Sequence, residues 1–179
     1  MSDESFEKIM NLCKFKNQKW KLIYRASRDG FKGENFHNKC DDISNTLTII
    51  KTSNGSIFGG FTSASWSKIE GFKEDPYAFL FRNKSNENVL IECSEPSNAI
   101  YCNKNCGPCF GDDDIKISNM SNLNTESESV IGFTYGESKF EYGSNESKTF
   151  LAGSKFFQTE EIEVYTKDYP LLLEVNIFI

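Results

Sequence analysis

Three of the six cysteines fall within Cys102-Asn103-Lys104-Asn105-Cys106-Gly107-Pro108-Cys109. The last four residues form a C-x-x-C string, the spacing at which one thiol attacks and the other resolves a mixed disulfide. That chemistry needs the first thiol at a helix N-terminus, where the dipole favours the thiolate, with the second thiol one turn later. The residues that follow, Phe110-Gly111-Asp112-Asp113-Asp114, open no amphipathic helix. Their clustered carboxylates should raise a thiolate's pKa, and no βαβ pattern surrounds the string. A second reading is zinc held by Cys102, Cys106 and Cys109, with Cys93 or an aspartate as fourth ligand, although structural sites usually pair two C-x2-C knuckles. The third reading is a Gly-Pro turn with small, half-buried thiols, and the sequence favours it. Redox chemistry at Cys106 and Cys109 and zinc at Cys102, Cys106 and Cys109 stand as alternatives.

His37 is the single histidine, so any Ser-His-Asp or Cys-His mechanism must pass through it. Cys40, Asp41 and Asp42 lie close by, but residues three apart on a short helix are ordinary neighbours, and a histidine capping that helix is the simpler reading. Glu160, Glu161 and Glu163 offer paired carboxylates. Glu161 and Glu163 share one face of a strand, which reads as a solvated face open to a partner. Gly59-Gly60 lacks the Lys-Ser/Thr and the helix of a phosphate-binding loop. The sequence therefore assigns no catalytic residue, cofactor or metal. Trp66 and Phe72, in a loop expected over 65–76, join Glu161 and Glu163 as candidate partner contacts, with the acidic loops beside them.

The elements that must position these residues centre on 46–62, TLTIIKTSNGSIFGGFT. Two β-branched and aromatic runs flank Asn54-Gly55, a pair suited to the positive φ angles of a type I′ hairpin turn. Leu47, Ile49 and Lys51 point one way and Thr48, Ile50 and Thr52 the other, so the first strand should lie in a sheet covered on both faces. Gly59 and Gly60 allow close packing there. Phe6, Ile9, Met10 and Cys13 fall at helical spacing, predicting a helix over 2–15 capped by Ser2. Residues 33–41 predict a short helix. Strands are expected at 20–24, 77–81, 89–93, 99–102, 112–118, 130–135 and 161–165. Segments 119–129 and 136–148, rich in Ser, Asn, Glu and Gly, read as exposed loops. Many short strands and two brief helices predict a mainly β fold, a two-sheet antiparallel sandwich flanked by helices.

A net charge of −6 argues against nucleic-acid binding, which needs a basic face. No signal peptide is visible, and Leu171–Ile179 is about half the length of a membrane-spanning helix, so a cytoplasmic protein without a transmembrane segment is expected. That apolar tail, 168–179, alternates like a strand and should either add to a sheet edge, the favoured reading, or dock onto a partner. The domain proper is expected over 17–167, behind an N-terminal helix at 1–16, as a single globular unit and a monomer.

Much of the chain is similar to a known family. Trp20-Lys21-Leu22-Ile23-Tyr24-Arg25-Ala26-Ser27-Arg28-Asp29-Gly30-Phe31, Phe36-His37 and Cys40-Asp41 resemble the opening signature of the TLDc domain. The likeness continues through Thr46–Thr52, Phe58–Thr62, Trp66, Asp75-Pro76, Ala78–Phe81, Gly107-Pro108, Phe110-Gly111 and Asp114-Ile115. It closes on Phe150–Gly153 and Glu161–Tyr165. The resemblance implies a two-sheet β-sandwich and a non-enzymatic interaction module of the oxidation-resistance kind. It further implies a link to oxidative stress and to subunits of the vacuolar proton-pumping ATPase. It also implies that Gly107, Pro108, Phe110 and Gly111 form a family turn with incidental thiols beside it. The insertions at 119–129 and 136–148 and the tail depart from the family pattern.

Overall fold

Runs that are apolar on both faces belong in the middle of a layered structure, and 46–62 lies there. The computed structural model describes residues 3–15, 17–84 and 87–168. In chain order they form α1 (Asp3–Leu12), β1 (Trp20–Arg25), α2 (Ala26–Asp29), α3 (Gly33–Cys40), β2 (Thr46–Thr52), β3 (Ile57–Thr62) and β4 (Gly71–Lys73). Then come β5 (Phe79–Lys84), β6 (Glu87–Glu92), a 3-10 turn (Pro96–Asn98), β7 (Ile100–Cys102), β8 (Cys109–Phe110) and β9 (Ile115–Lys116). The remainder is β10 (Ser127–Glu128), α4 (Asn145–Thr149), β11 (Phe156–Phe157) and β12 (Thr159–Lys167). The strands make two six-stranded sheets, ordered β1-β12-β2-β3-β5-β6 and β11-β10-β9-β8-β7-β4. Their pairings are antiparallel. The expected mainly β sandwich is what the chain forms.

Side-chain alternation on β2 and β3 gives the first sheet two cores. Ile50 and Phe58, with Leu80, Ile91, Ile162 and Val164, face the second sheet and meet Ile100, Phe110 and Ile115. Leu47, Ile49, Phe61 and Phe81 face the other way and are covered by Ile9, Met10 and Cys13 of α1. The helical spacing read from the sequence therefore supplies the lid for that second core. Ser2, the expected cap, lies outside the described residues, as does the predicted strand at 171–179.

Gly59 and Gly60 sit back to back between these cores. A Cβ on Gly60 would come within 2.7 Å of the Phe110 ring and 2.9 Å of Leu80. A Cβ on Gly59 would collide with the Thr48 carbonyl of the paired strand. Close sheet packing is their role, as the sequence suggested.

Other details depart from expectation. The hairpin turn is not type I′: Gly55 has φ 87°, but Asn54 is absent from the positive-φ residues. Gly55 N donates to Thr52 O at 2.9 Å and Thr52 N to Ser56 O at 3.0 Å, closing a three-residue loop. Asn54 is committed elsewhere. Its amide donates to Ala152 O at 2.8 Å, and its Oδ1 accepts from Thr52 Oγ1 at 2.6 Å. The loop at 65–76 contains β4. Of the strand expected at 112–118, only Ile115–Lys116 pairs.

Residues 130–135 are buried apart from Phe133, but they are not a strand. Gly132 has φ 108°, Val130 N donates to Asp113 O, and Tyr135 N donates to the Asp114 carboxylate. Segments 119–129 and 136–148 are not simply exposed either. They bury Ser121, Ser127, Ser129, Phe140 and Ser147, and they contribute β10 and the first residues of α4.

Asp75 joins the sheet's end to the following turn. Its carboxylate accepts from Thr62 Oγ1 at 2.7 Å, Ser63 N at 2.5 Å, Ser63 Oγ at 2.7 Å and Tyr77 N at 2.9 Å. Burial pushes its pKa up, but hydrogen bonds led by those of Ser63 and Thr62 outweigh it and hold the group below the usual range.

Candidate interaction surface and dithiol loop

The fold keeps Glu161 and Glu163 together on β12 but separates them from Trp66 and Phe72. Trp66 is wholly buried, edge-on to Phe36 at 5.2 Å and to Phe110 at 5.5 Å, with Nε1 donating to Thr46 Oγ1 at 2.9 Å. Its ring has no face for a partner, because an indole inside a sandwich core satisfies its N–H internally. Glu163 is also buried, correcting the reading of a solvated strand face. The Arg25 guanidinium reaches it at 2.8 Å, and the Tyr165 hydroxyl donates to it at 2.9 Å. β12 lies between β1 and β2, so a carboxylate at this position is paired from neighbouring strands. Glu161 is half-buried and bonded to the start of α2, accepting from Ser27 N at 3.0 Å and from the Ser27 hydroxyl.

Phe72 is the exception. It sits in β4, an edge strand whose single partner is β7, and is 42% exposed. Its ring packs on Tyr101 with centroids 5.0 Å apart, and the Tyr101 hydroxyl donates to Glu70 at 2.7 Å. Ile69 and Tyr77 in the same segment are 81% and 73% exposed. The sequence offered little sign of their exposure, since an apolar residue in a loop reads equally well as a core anchor.

The cysteine loop joins β7 to β8. Cys106 is half-buried, whereas Cys109 is buried in β8 and paired in register with Lys116 of β9. Cys106 N donates to Asn103 O at 3.0 Å and Gly107 N to Ile117 O at 2.9 Å, which fixes the turn. The expectation that the nearby aspartates would raise a thiolate's pKa does not hold for Cys106. A hydrogen bond from the Cys109 thiol lowers its pKa, burial opposes this, and the charges of Lys116 and His37 assist, bringing it to about 7. Cys109 is held well above the ordinary thiol range by the same hydrogen bond and by burial.

His37 lies in the last turn of α3, whose C-cap is Asp41, so it is not the cap expected. It is buried, with Nδ1 2.7 Å from Asp41 Oδ1 and Nε2 2.9 Å from Asn103 O, tying α3 to the cysteine loop. Its position toward the end of α3 gave no hint of this link, which depends on a long-range approach. Gly33, the first residue of α3, meets the backbone of Asn105 and Cys106 so closely that a Cβ would lie 2.7 Å from Cys106 O. Cys40 lies in the core beside Phe36, where burial pushes its thiol far up, and it forms no nucleophile pair with His37.

The zinc reading does not survive. Among the described residues, no group of three or more His, Cys, Asp or Glu side chains is placed to hold a metal ion. Cys102 is buried on β7 and Cys109 on the neighbouring β8, where Tyr101 and not Cys102 stands opposite it, and Cys106 lies in the turn between the two strands. A cavity of about 550 Å³ opens elsewhere, lined by Lys8, Arg82 and Lys84 and by no carboxylate or thiol among the described residues. Arg82 is already committed there, lying 3.8 Å over the Phe150 ring and donating to Phe150 O at 3.1 Å.

The family model of the TLDc domain matches residues 1–168. The chain is similar to "MTOR-associated protein MEAK7" of Xenopus laevis, 32% identical over 89 residues, which is 48% of this chain and 19% of that protein. It is likewise similar to the protein of that name from Gallus gallus, 38% identical over 66 residues, 35% of this chain and 14% of that protein. The matched stretches thus span about a fifth or less of those relatives' length. From the two packed sheets, and from a family match that runs through nearly all of them, this chain belongs to the TLDc domain family.

Proposed function

We propose that the chain is a non-enzymatic, cytoplasmic protein-interaction module whose contact surface is the 69–77 segment around β4. The observation that carries this reading is the exposure of Ile69, Phe72 and Tyr77 on one segment that includes an edge strand. Such an edge offers unpaired backbone groups to a partner strand, and exposed aromatic side chains offer anchors for its pockets. Lys68, Glu70, Lys73 and Glu74 surround those anchors with the polar rim common at protein interfaces. The acidic net charge favours a protein partner over nucleic acid.

The family resemblance supports subunits of the vacuolar proton-pumping ATPase as partner and oxidative-stress resistance as the physiological setting. The name of the relatives, which associates them with MTOR, supports a partner-binding role in general. The module acts as a monomer and without a cofactor.

The test is affinity capture with the full chain at low and moderate salt, probed separately for ATPase subunits and for MTOR. ATPase subunits should be retained by the wild type and reduced about tenfold or more by Phe72→Asp, the loss expected on removing an interface anchor worth at least 1.4 kcal/mol. Retention of neither partner overturns the ATPase assignment. Equal retention by wild type and Phe72→Asp moves the contact surface away from β4.

A further inference from the structure

We propose that Cys106 and Cys109 form a peroxide-responsive dithiol that closes reversibly to a disulfide within the β7–β8 loop. The proposal does not depend on partner docking at β4. Its basis is an asymmetric pair. Cys106 is half-buried and reachable from solvent, whereas Cys109, three residues on at the start of β8, is buried with its Sγ donating to Gly107 O at 3.5 Å inside the same turn. Lys116 stands in register opposite Cys109, and His37 holds the far side of the loop through Asn103 O, so a lysine cation lies beside the dithiol turn. Glu70 is the acidic group acting against them.

The other four thiols lack this setting. Cys13, Cys40 and Cys102 are buried, and Cys93 is pushed up to about 11 by burial. Cys13 is pushed up to about 12 for the same reason. Cys106 differs from all four in direction, because its thiolate is favoured near neutral pH.

Two steps account for the chemistry. The Cys106 thiolate attacks one oxygen of hydrogen peroxide: an S–O bond forms, the O–O bond breaks, and the departing hydroxide takes up a proton as water, leaving a sulfenic acid. The Cys109 sulfur then attacks the Cys106 sulfur: an S–S bond forms, the S–O bond breaks, and the hydroxide released takes the Cys109 proton as a second water. The two thiols together lose two electrons and two protons, and peroxide gains both. A thiol reductant reverses the sequence by exchange at the disulfide.

The experiment is peptide mapping by mass spectrometry of the full, pre-reduced chain treated with stoichiometric hydrogen peroxide. The Cys106–Cys109 peptide should lose about 2 Da before any other cysteine is oxidised, and reductant should restore it. In Cys109→Ser, with folding confirmed by circular dichroism, Cys106 should instead accumulate as a sulfenic acid that a dimedone probe captures. Lys116→Gln, a change at a partly exposed side chain, should slow Cys106 alkylation at pH 7 several-fold and shift its pH profile upward. The proposal is overturned if Cys93 or another thiol oxidises first, if Cys106 proceeds to sulfinic acid in the wild type without a disulfide, or if Lys116→Gln leaves the alkylation profile unchanged.

Discussion

Asp114 and Asp75 are two buried carboxylates with opposite consequences for stability. Burial raises Asp114 to about 7, more than its hydrogen bond from Tyr135 N can offset, whereas the donors around Asp75 hold that group low. Between about pH 4 and pH 7 the folded chain therefore binds a proton at Asp114 that the unfolded chain has released. Stability falls as pH rises across that window, by an amount on the order of 3–4 kcal/mol for a shift of this size. Asp75 acts at the acid end, where its contribution is complete above about pH 4 and is lost as pH falls through its lowered pKa. Denaturant titrations from pH 5 to pH 8 should show that decline, and Asp114→Asn should flatten it. An undiminished slope in the variant would assign the decline to another group. Gly60→Val should cost at least 1–3 kcal/mol, the usual range for overpacking, because its side chain enters the space of the Phe110 ring. Soluble, folded Gly60→Val of unchanged denaturation midpoint would contradict the close packing argued here. Trp66→Ala should cost about 3–5 kcal/mol as a buried aromatic truncation, while Phe72→Asp should change the midpoint little.

Among the elements, α1 is the most separable, because it covers the outer face of the first sheet without joining either sheet's hydrogen bonds. A chain begun at Asn17 should leave Leu47, Ile49, Phe61 and Phe81 open to water. We expect a lower melting temperature and increased binding of a hydrophobic dye, both absent in the full chain. Equal melting temperatures would show that α1 adds nothing to the core beneath it. The elements also show what the sequence made legible. β2, β3 and α1 were readable because their apolar spacing is regular and each buries a whole face. Val130-Ile131-Gly132-Phe133-Thr134-Tyr135 has strand composition, yet its backbone donors are taken by Asp113 O and the Asp114 carboxylate, partners distant in sequence or irregular in geometry. The serine-rich segments read as solvated because serine is usually exposed. It is also small enough to bury when its hydroxyl finds one partner, as Ser121 does with Thr159 at 2.7 Å and Ser129 with Asp114 O at 2.8 Å. At the candidate sites, Phe72 and the Cys106–Cys109 string were visible in the sequence. The burial of Trp66 and Glu163 was not, since it depends on the neighbours that β1, β2, α3 and β8 bring in.

For the whole molecule, the sandwich places the β4 edge and the cysteine loop beside each other, because both adjoin β7 and Tyr101 touches Phe72. The chain should run as a monomer in size-exclusion chromatography with light scattering, and a concentration-dependent dimer would mean that the exposed edge pairs with itself. No described helix is long and apolar enough to cross a membrane. Another consequence lies at the opposite end of the first sheet. β1 begins beside the end of β12, with Trp20 paired to Lys167 and Asp168 N donating to Lys19 O at 2.8 Å. The polypeptide thus enters and leaves the sandwich at one point. A unit of that kind can be spliced into a surface loop of a host protein without separating its strands. Its two ends can also be joined and the chain reopened at Gly55, where an added Cβ would meet nothing within 4 Å, as a circular permutant with the same sheet order.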